Sequence, residues 1–376
     1  MKKIIFLVET GFSQRDYERF GLKKFTESGF KVAVWDLSEF KQENIEIRTD
    51  VIVKEYVRVR HYSEFKKLCS ELSSQDFIIV NISLSRKTFL YWSVISKCPA
   101  KLCSIRLGVI PVGGVKLTFA VFLRRAFNAI RGPRKLVDFF VQKFISKFIY
   151  IRDIDFYLTA GEMAIPRAVS SDKIIRGTSL DFNLFLDNPD KGKRDFIVFI
   201  DEFEPFHPDY IRMGVKTIEA ETYYLELNKF FEFIENKWSL PVVIAAHPLA
   251  DLKKYEAYFR GRSFFKGKTV ELIRDSSVVV SHTSTAVQMS MLYNRPLVLI
   301  YTADMLERYK ASVIQQYKEY GFKLFNISDI NEWSKINPKV DEELYARYIR
   351  EYVKVDGVPS LNCWDIFIKK LFGKNP

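Results

Sequence analysis

Short apolar runs alternate along the chain with segments whose apolar positions recur every three or four residues. In the first half the runs are KKIIFLVE, KVAVWDL, QDFIIVNIS, KLCSIRLGVI and DIDFYLTAG. Helical patterns lie between them near residues 14 to 27, 62 to 73 and 86 to 97. Apolar strands separated by helices predict a parallel sheet covered on both faces. The segment DNPDKGKRD, residues 187 to 195, is polar, contains Pro189 and Gly192, and reads as a linker. The rhythm then restarts: RDFIVFIDEF as a strand, ETYYLELNKFFEFIENKW as a long helix, LPVVIAAHP as a strand, DLKKYEAYFRG as a helix. SSVVVSH, STAVQMSMLYN and PLVLIY follow as strand, helix and strand, with helices near 303 to 320 and 340 to 354. The expectation is an α/β protein of two Rossmann-like domains facing a central cleft, residues 1–187 and 195–376, the second with a helical tail. Neither half carries GxGxxG, which disfavours a dinucleotide enzyme.

One insertion interrupts the alternation. Across residues 116–150, Phe119, Phe122, Leu123, Ala126, Phe127 and Ile130 form one helical stripe, and Val137, Phe140, Val141, Phe144, Ile145 and Phe148 form another after Gly132-Pro133. Arg124, Arg125, Arg131, Arg134, Lys135, Lys143 and Lys147 accompany them, against the single acid Asp138. A basic, Phe-rich amphipathic pair predicts an anchor on an anionic membrane surface. The competing reading buries both stripes in the protein core.

Composition narrows the class. At 376 residues the chain exceeds one ordinary domain. No apolar run approaches the ~20 residues of a membrane span. Glu9 ends the first apolar run too early for a signal peptide, so that run reads as a buried strand. The 4 cysteines match no zinc or redox spacing, which points to a reducing cytoplasm. A net charge of +12 calls for an anionic partner: nucleic acid, acidic lipid or a phosphorylated substrate.

Candidate chemistry gathers at strand ends in the second half. His247-Pro248 closes VVIAAHP, where side chains of an open α/β sheet face the ligand crevice. An imidazole there can donate to a phosphate oxygen or act as an acid toward a leaving phosphate. Ser281, His282, Thr283, Ser284 and Thr285 follow SSVVV and precede an apolar helix. Capping needs one such residue, and five in a row suit an anion at a helix N-terminus, with Ser284 and Thr285 at N-cap and first-turn positions. Asp201 and Glu202 close FIVFI, and Asp201 is favoured as a general base because alternation turns Glu202 the other way. In the first half, Glu9, Thr10 and Arg15 would line the crevice, or the segment simply starts a helix capped by Ser13.

In order, Asp201-Glu202, His247-Pro248 and Ser284-Thr285 resemble the acidic, HP and paired Ser/Thr motifs of bacterial GT-B transferases that use CMP-activated sugars, the sialyltransferases and their relatives for other nonulosonates and Kdo. The resemblance covers roughly residues 195 to 300 and departs from the pattern at Phe203, where the sialyltransferase acidic motif usually has Gly. It implies a GT-B fold, a CMP phosphate bound by His247 and the Ser/Thr pair, and an acidic residue as base. The first half is then expected to be the acceptor side and the second the nucleotide-sugar side. No cofactor or metal is expected, since a CMP donor has one phosphate and His, hydroxyls and a helix N-terminus can stabilise it on departure. The leading expectation is a glycosyltransferase, peripheral on the inner face of the cytoplasmic membrane. It would transfer an acidic sugar to a lipid-linked or oligosaccharide acceptor of capsule, O-antigen or lipooligosaccharide. HP…SSVVVSHTSTA…NRPLVLIY is also similar to polymerases that use CDP-glycerol, which would need a His base, His247 or His282. A basic nucleic-acid-binding protein is the third reading. It is disfavoured because the charges flank Phe stripes and no RRM, KH or zinc pattern is present.

Overall fold

The computed structural model describes residues 2–9, 11–41, 55–85, 87–111, 151–207, 210, 216–306 and 310–373. The basic stripes expected over 116–150 lie outside the described residues, as does Thr10.

The first half forms a seven-stranded sheet from β1 (Lys3–Val8), β2 (Lys31–Asp36), β3 (Tyr56–Arg58), β4 (Phe77–Asn81), β5 (Lys101–Arg106), β6 (Phe156–Ala160) and β7 (Ile174–Gly177). Its order is β3-β2-β1-β4-β5-β6-β7. The second half forms a six-stranded sheet from β8 (Ile197–Ile200), β9 (Val242–Ala246), β10 (Phe264–Lys266), β11 (Val278–Ser281), β12 (Leu297–Tyr301) and β13 (Leu324–Asn326), ordered β10-β9-β8-β11-β12-β13. Every strand pair is parallel. Each sheet runs outward from its first strand in both directions, so each half is doubly wound and Rossmann-like, the GT-B layout expected from the sequence.

Apolar side chains on both sheet faces explain the continuous runs. In the first sheet Ile4, Phe6 and Val8 pack into one cluster and Ile5 and Leu7 into another. In the second, Val278 and Val280 face the cluster around Phe230 and Phe231, while Val279 faces that around Ile273 and Met289. The edge strands β3, β10 and β13 have three residues each, too few to show a pattern in the sequence.

The chain ends on the half where it began. The helix Cys363–Phe372 contributes Cys363, Trp364, Phe367 and Ile368 to the first sheet's core. Trp364 meets Phe25 and Phe6 with centroids 5.5 and 5.9 Å apart, and its Nε1 donates to the Arg19 carbonyl at 2.8 Å. Gly21, at φ +62°, makes this seat possible, because a Cβ there would stand 2.5 Å from the indole. Truncating so enclosed a Trp costs about 3–5 kcal/mol. The helical tail assigned by sequence to 195–376 therefore divides: residues 342–353 pack on the second half around Tyr345 and Tyr348, and the last helix packs on the first.

Candidate functional site

β8 lies between β9 and β11, and the registers Ile200↔Ala245 and Ile200↔Ser281 bring the carboxyl ends of the three strands side by side. The order in which strands are added reverses between β8 and β11, which is where ligands of open α/β sheets bind. The three sequence motifs thus converge at one switch point, though their side chains take different roles there.

His247 is partly exposed and stands at the end of β9. The Leu249 backbone N–H donates to its Nδ1 at 3.2 Å, so in the neutral ring Nε2 carries the proton. The ring stacks on Phe203, with centroids 6.0 Å apart and planes 12° apart, and meets His207 edge-on at 5.2 Å. Phe203 adopts φ 56° and ψ 35°, the left-handed region that glycine enters freely. At the position where the resemblance expects Gly, the residue type differs and the backbone takes a glycine-like conformation. Such a conformation costs a bulky residue about 1–2 kcal/mol. The buried ring, which also packs on Phe206 at 5.2 Å, offsets that cost.

Glu202 enters a buried ion cluster. It accepts the Thr283 N–H at 2.6 Å and pairs with Lys310 Nζ at 2.5 Å. Lys310 also pairs with Glu204 at 2.6 Å and donates to Thr283 Oγ1 at 3.1 Å. One lysine therefore ties the loop after β8 to the loop after β11. Burial works against each charge, yet the mutual attraction wins: Glu202 is held below the ordinary carboxylate range and Lys310 well above the ordinary ammonium range. Asp201 sits at the strand end as expected but is only 3% exposed, and its N–H donates to the Ala245 carbonyl at 3.1 Å.

The five residues of SHTST divide by depth. Ser281, His282 and Thr283 are buried, Ser284 is half-buried and Thr285 exposed. His282, expected at the donor, is wholly enclosed. Its Nδ1 faces the Ile300 carbonyl at 2.9 Å and must donate, which leaves Nε2 to accept from the Tyr223 hydroxyl at 2.7 Å. Burial pushes its pKa down to about 4, so it is a neutral, doubly bonded core residue and not a ligand. The expected capping positions also shift. The helix begins at Val287 with Ala286 as N-cap, and Ser284 Oγ accepts the Ala286 N–H at 3.2 Å within the preceding turn. Ser284 and Thr285 stay at the surface of that turn, half-buried and exposed.

The first half brings its own residues to the corresponding edge. Glu9, after β1, accepts the Ser83 hydroxyl at 3.1 Å beyond β4, at that sheet's switch point. Arg19 pairs with Asp181 at 2.8 Å, and Gln288 of the second half donates to the other Asp181 oxygen at 2.5 Å. Sequence reasoning missed Lys310, Glu204, Asp181 and Gln288. Only Gln288 left a local signal, a polar residue within the apolar stretch VQMSML.

Asp153-Ile154-Asp155 form a D-x-D triplet at the amino end of β6, opposite the strand ends that carry the site motifs. Asp155 accepts the Leu102 N–H at 2.7 Å and pairs with Arg152 at 3.2 Å. Among the described residues no group of three or more His, Cys, Asp or Glu could hold a metal ion. The 4 cysteines are buried and unpaired by disulfides. No helix of the described residues is long and apolar enough to cross a membrane.

No family model and no curated protein matches the chain. Solved structures resemble it at low identity. A UDP-bound structure of S. aureus MnaA has a TM-score of 0.49 and 12% identity, covering 100% of this chain and 99% of that one. The wall teichoic acid polymerase TagF has 0.48 and 11%, covering 95% and 85%. Acinetobacter baumannii MurG has 0.45 and 9%, covering 98% and 99%. Likenesses of this degree carry no argument about activity.

Proposed function

We propose that this chain is a glycosyltransferase that moves an acidic sugar, a nonulosonate or Kdo, from a CMP-activated donor to a surface-polysaccharide acceptor. The observation that supports it is the convergence of Asp201-Glu202, His247 and Ser284-Thr285 at the β8/β11 switch point. In this reading His247 Nε2–H and the hydroxyls of Ser284 and Thr285 bind the single phosphate of the donor. They stabilise the charge that grows as the bond from the anomeric carbon to the phosphate oxygen breaks. Asp201 accepts the proton of the acceptor hydroxyl as its oxygen attacks the anomeric carbon, and CMP leaves with the bonding electrons. Glu202 has a different task, holding Thr283 and Lys310 behind the phosphate site. The net charge of +12 and the stripes of 116–150 favour work against an anionic membrane surface carrying a lipid-linked acceptor. Flotation with anionic liposomes tests that part.

Thermal shift tests the donor. CMP should raise the melting temperature and UDP should not, and the CMP effect should shrink in His247→Ala and in Ser284→Ala/Thr285→Ala. Equal stabilisation by CMP in all three proteins would remove these residues from the site. The pair His207–His247, 5.2 Å apart, favours a second reading, a CDP-glycerol transferase with a histidine base. Turnover of CDP-glycerol without turnover of any CMP-sugar would select it.

A further inference from the structure

The helix Gln14–Arg19 follows the carboxyl end of β1 and carries Arg15 and Arg19 four residues apart, on one side. Arg19 takes Asp181 Oδ1 at 2.8 Å, and Gln288 Nε2 takes Oδ2 at 2.5 Å. The same Gln288 nitrogen donates to the Thr285 carbonyl at 3.3 Å, and its Oε1 accepts from Ser179 Oγ at 3.2 Å. A continuous set of polar contacts thus joins Arg19 to the turn that presents Ser284 and Thr285. Asp181 has a partner on each oxygen. Asp16, the other carboxylate near Arg15, is held by Ser13 in a capping box at 2.6 and 2.9 Å. Arg15 faces both acids at longer range and forms no hydrogen bond or ion pair among the described residues. It remains open to solvent, yet surrounding protein and then the like charge of Arg19 lower its pKa from the ordinary arginine value. Of the two arginines on this helix, Arg15 is the one left without a carboxylate partner among the described residues, on the element that Asp181 and Gln288 tie to the Ser284–Thr285 turn.

We propose that Arg15 binds an anionic group, carboxylate or phosphate, on the unit that the nucleotide carries into the crevice. A guanidinium suits either group, since its fork matches two oxygens at once. The inference rests on the donor reading above and assigns that donor's transferred unit to the first half.

The test uses the full chain, Arg15→Gln and Arg15→Lys, followed by calorimetry and thermal shift. The probes are CMP, CMP-N-acetylneuraminate, free N-acetylneuraminate and glycerol 3-phosphate. CMP should bind all three proteins alike. CMP-N-acetylneuraminate should bind Arg15→Gln about tenfold to a hundredfold more weakly, the loss of one charged hydrogen-bonded contact, with a smaller loss in Arg15→Lys. Among the free anions, stabilisation of wild type but not of Arg15→Gln by N-acetylneuraminate marks a carboxylate site. The same result with glycerol 3-phosphate alone marks a phosphate site. Equal binding of every anion by wild type and Arg15→Gln, or no binding of any anion by wild type, overturns the inference. If CMP fails to bind while the free anions still distinguish the Arg15 variants, the donor reading falls and the anion site stands.

Discussion

Replacing Lys310 with methionine should destabilise the second half by about 3–5 kcal/mol at pH 8 and by much less near pH 5. The lysine side chain is 6% exposed and lies 2.5 Å from Glu202 and 2.6 Å from Glu204, which are 15% and 0% exposed. At an effective dielectric constant of ~20, each contact corresponds to about 6 kcal/mol of Coulomb attraction, most of which offsets the cost of taking three charges out of water. Methionine keeps the length and apolar stem but removes the cation that the two carboxylates share. In the folded variant those carboxylates hold protons more tightly than in the unfolded chain, where a glutamate titrates near ~4.3. The penalty therefore vanishes at low pH and grows as pH rises above that value. In the wild type, Glu202 is depressed instead, so its pairing stabilises above the same pH and is lost below. The wild-type contribution is already nearly complete at pH 5, so the gap widens from pH 5 to pH 8 through the variant's buried carboxylates. Urea unfolding at the two pH values measures it, and Lys310→Met/Glu202→Gln/Glu204→Gln should recover most of the loss at pH 8. A gap under about 1 kcal/mol at pH 8, or one independent of pH, would refute the buried-cluster account.

Three further outcomes follow from the same geometry. His282 titrates near 4 when folded and near ~6.5 when unfolded, so the unfolded chain takes up its proton first as pH falls. Wild-type stability should drop by about 3 kcal/mol between pH 6.5 and 4. His282→Asn, which removes the titrating ring and keeps an amide that can donate to the Ile300 carbonyl, should flatten that slope, and an unchanged slope would assign it elsewhere. At Phe203, both Ala and Gly lose the ring, but Gly relieves the positive φ; Phe203→Gly should therefore be about 1 kcal/mol more stable than Phe203→Ala by denaturant unfolding. Asp201→Asn should lower kcat by about 10² to 10⁴-fold at saturating donor while leaving CMP affinity nearly unchanged, and a near wild-type kcat would clear Asp201 as base.

Local patterning carried the α/β alternation, the restart after residue 195 and the positions of His247, Asp201 and SHTST at strand ends. All of these depend on neighbours within a few residues, and the apolar runs persist because both sheet faces are covered. What each polar side chain does there depends on partners far along the chain. Lys310 reaches Glu202 across 108 positions, Gln288 reaches Asp181 across 107, and Trp364 meets the Arg19 carbonyl across 345. No periodicity encodes such pairings. His282 shows the same division: its place after β11 was readable, but its burial follows from Tyr223 on a helix 59 residues earlier and from the carbonyl of Ile300 in the neighbouring strand. Phe203 shows it in the backbone, where a residue ill suited to a left-handed conformation is kept there by ring packing against Phe206 and His247. Sequence alone determined which strands end in polar chemistry, because that is a property of short segments. Only the tertiary structure decided which of those groups are sequestered as core and ion cluster and which keep access to solvent, because desolvation and charge pairing are set by what folds against them.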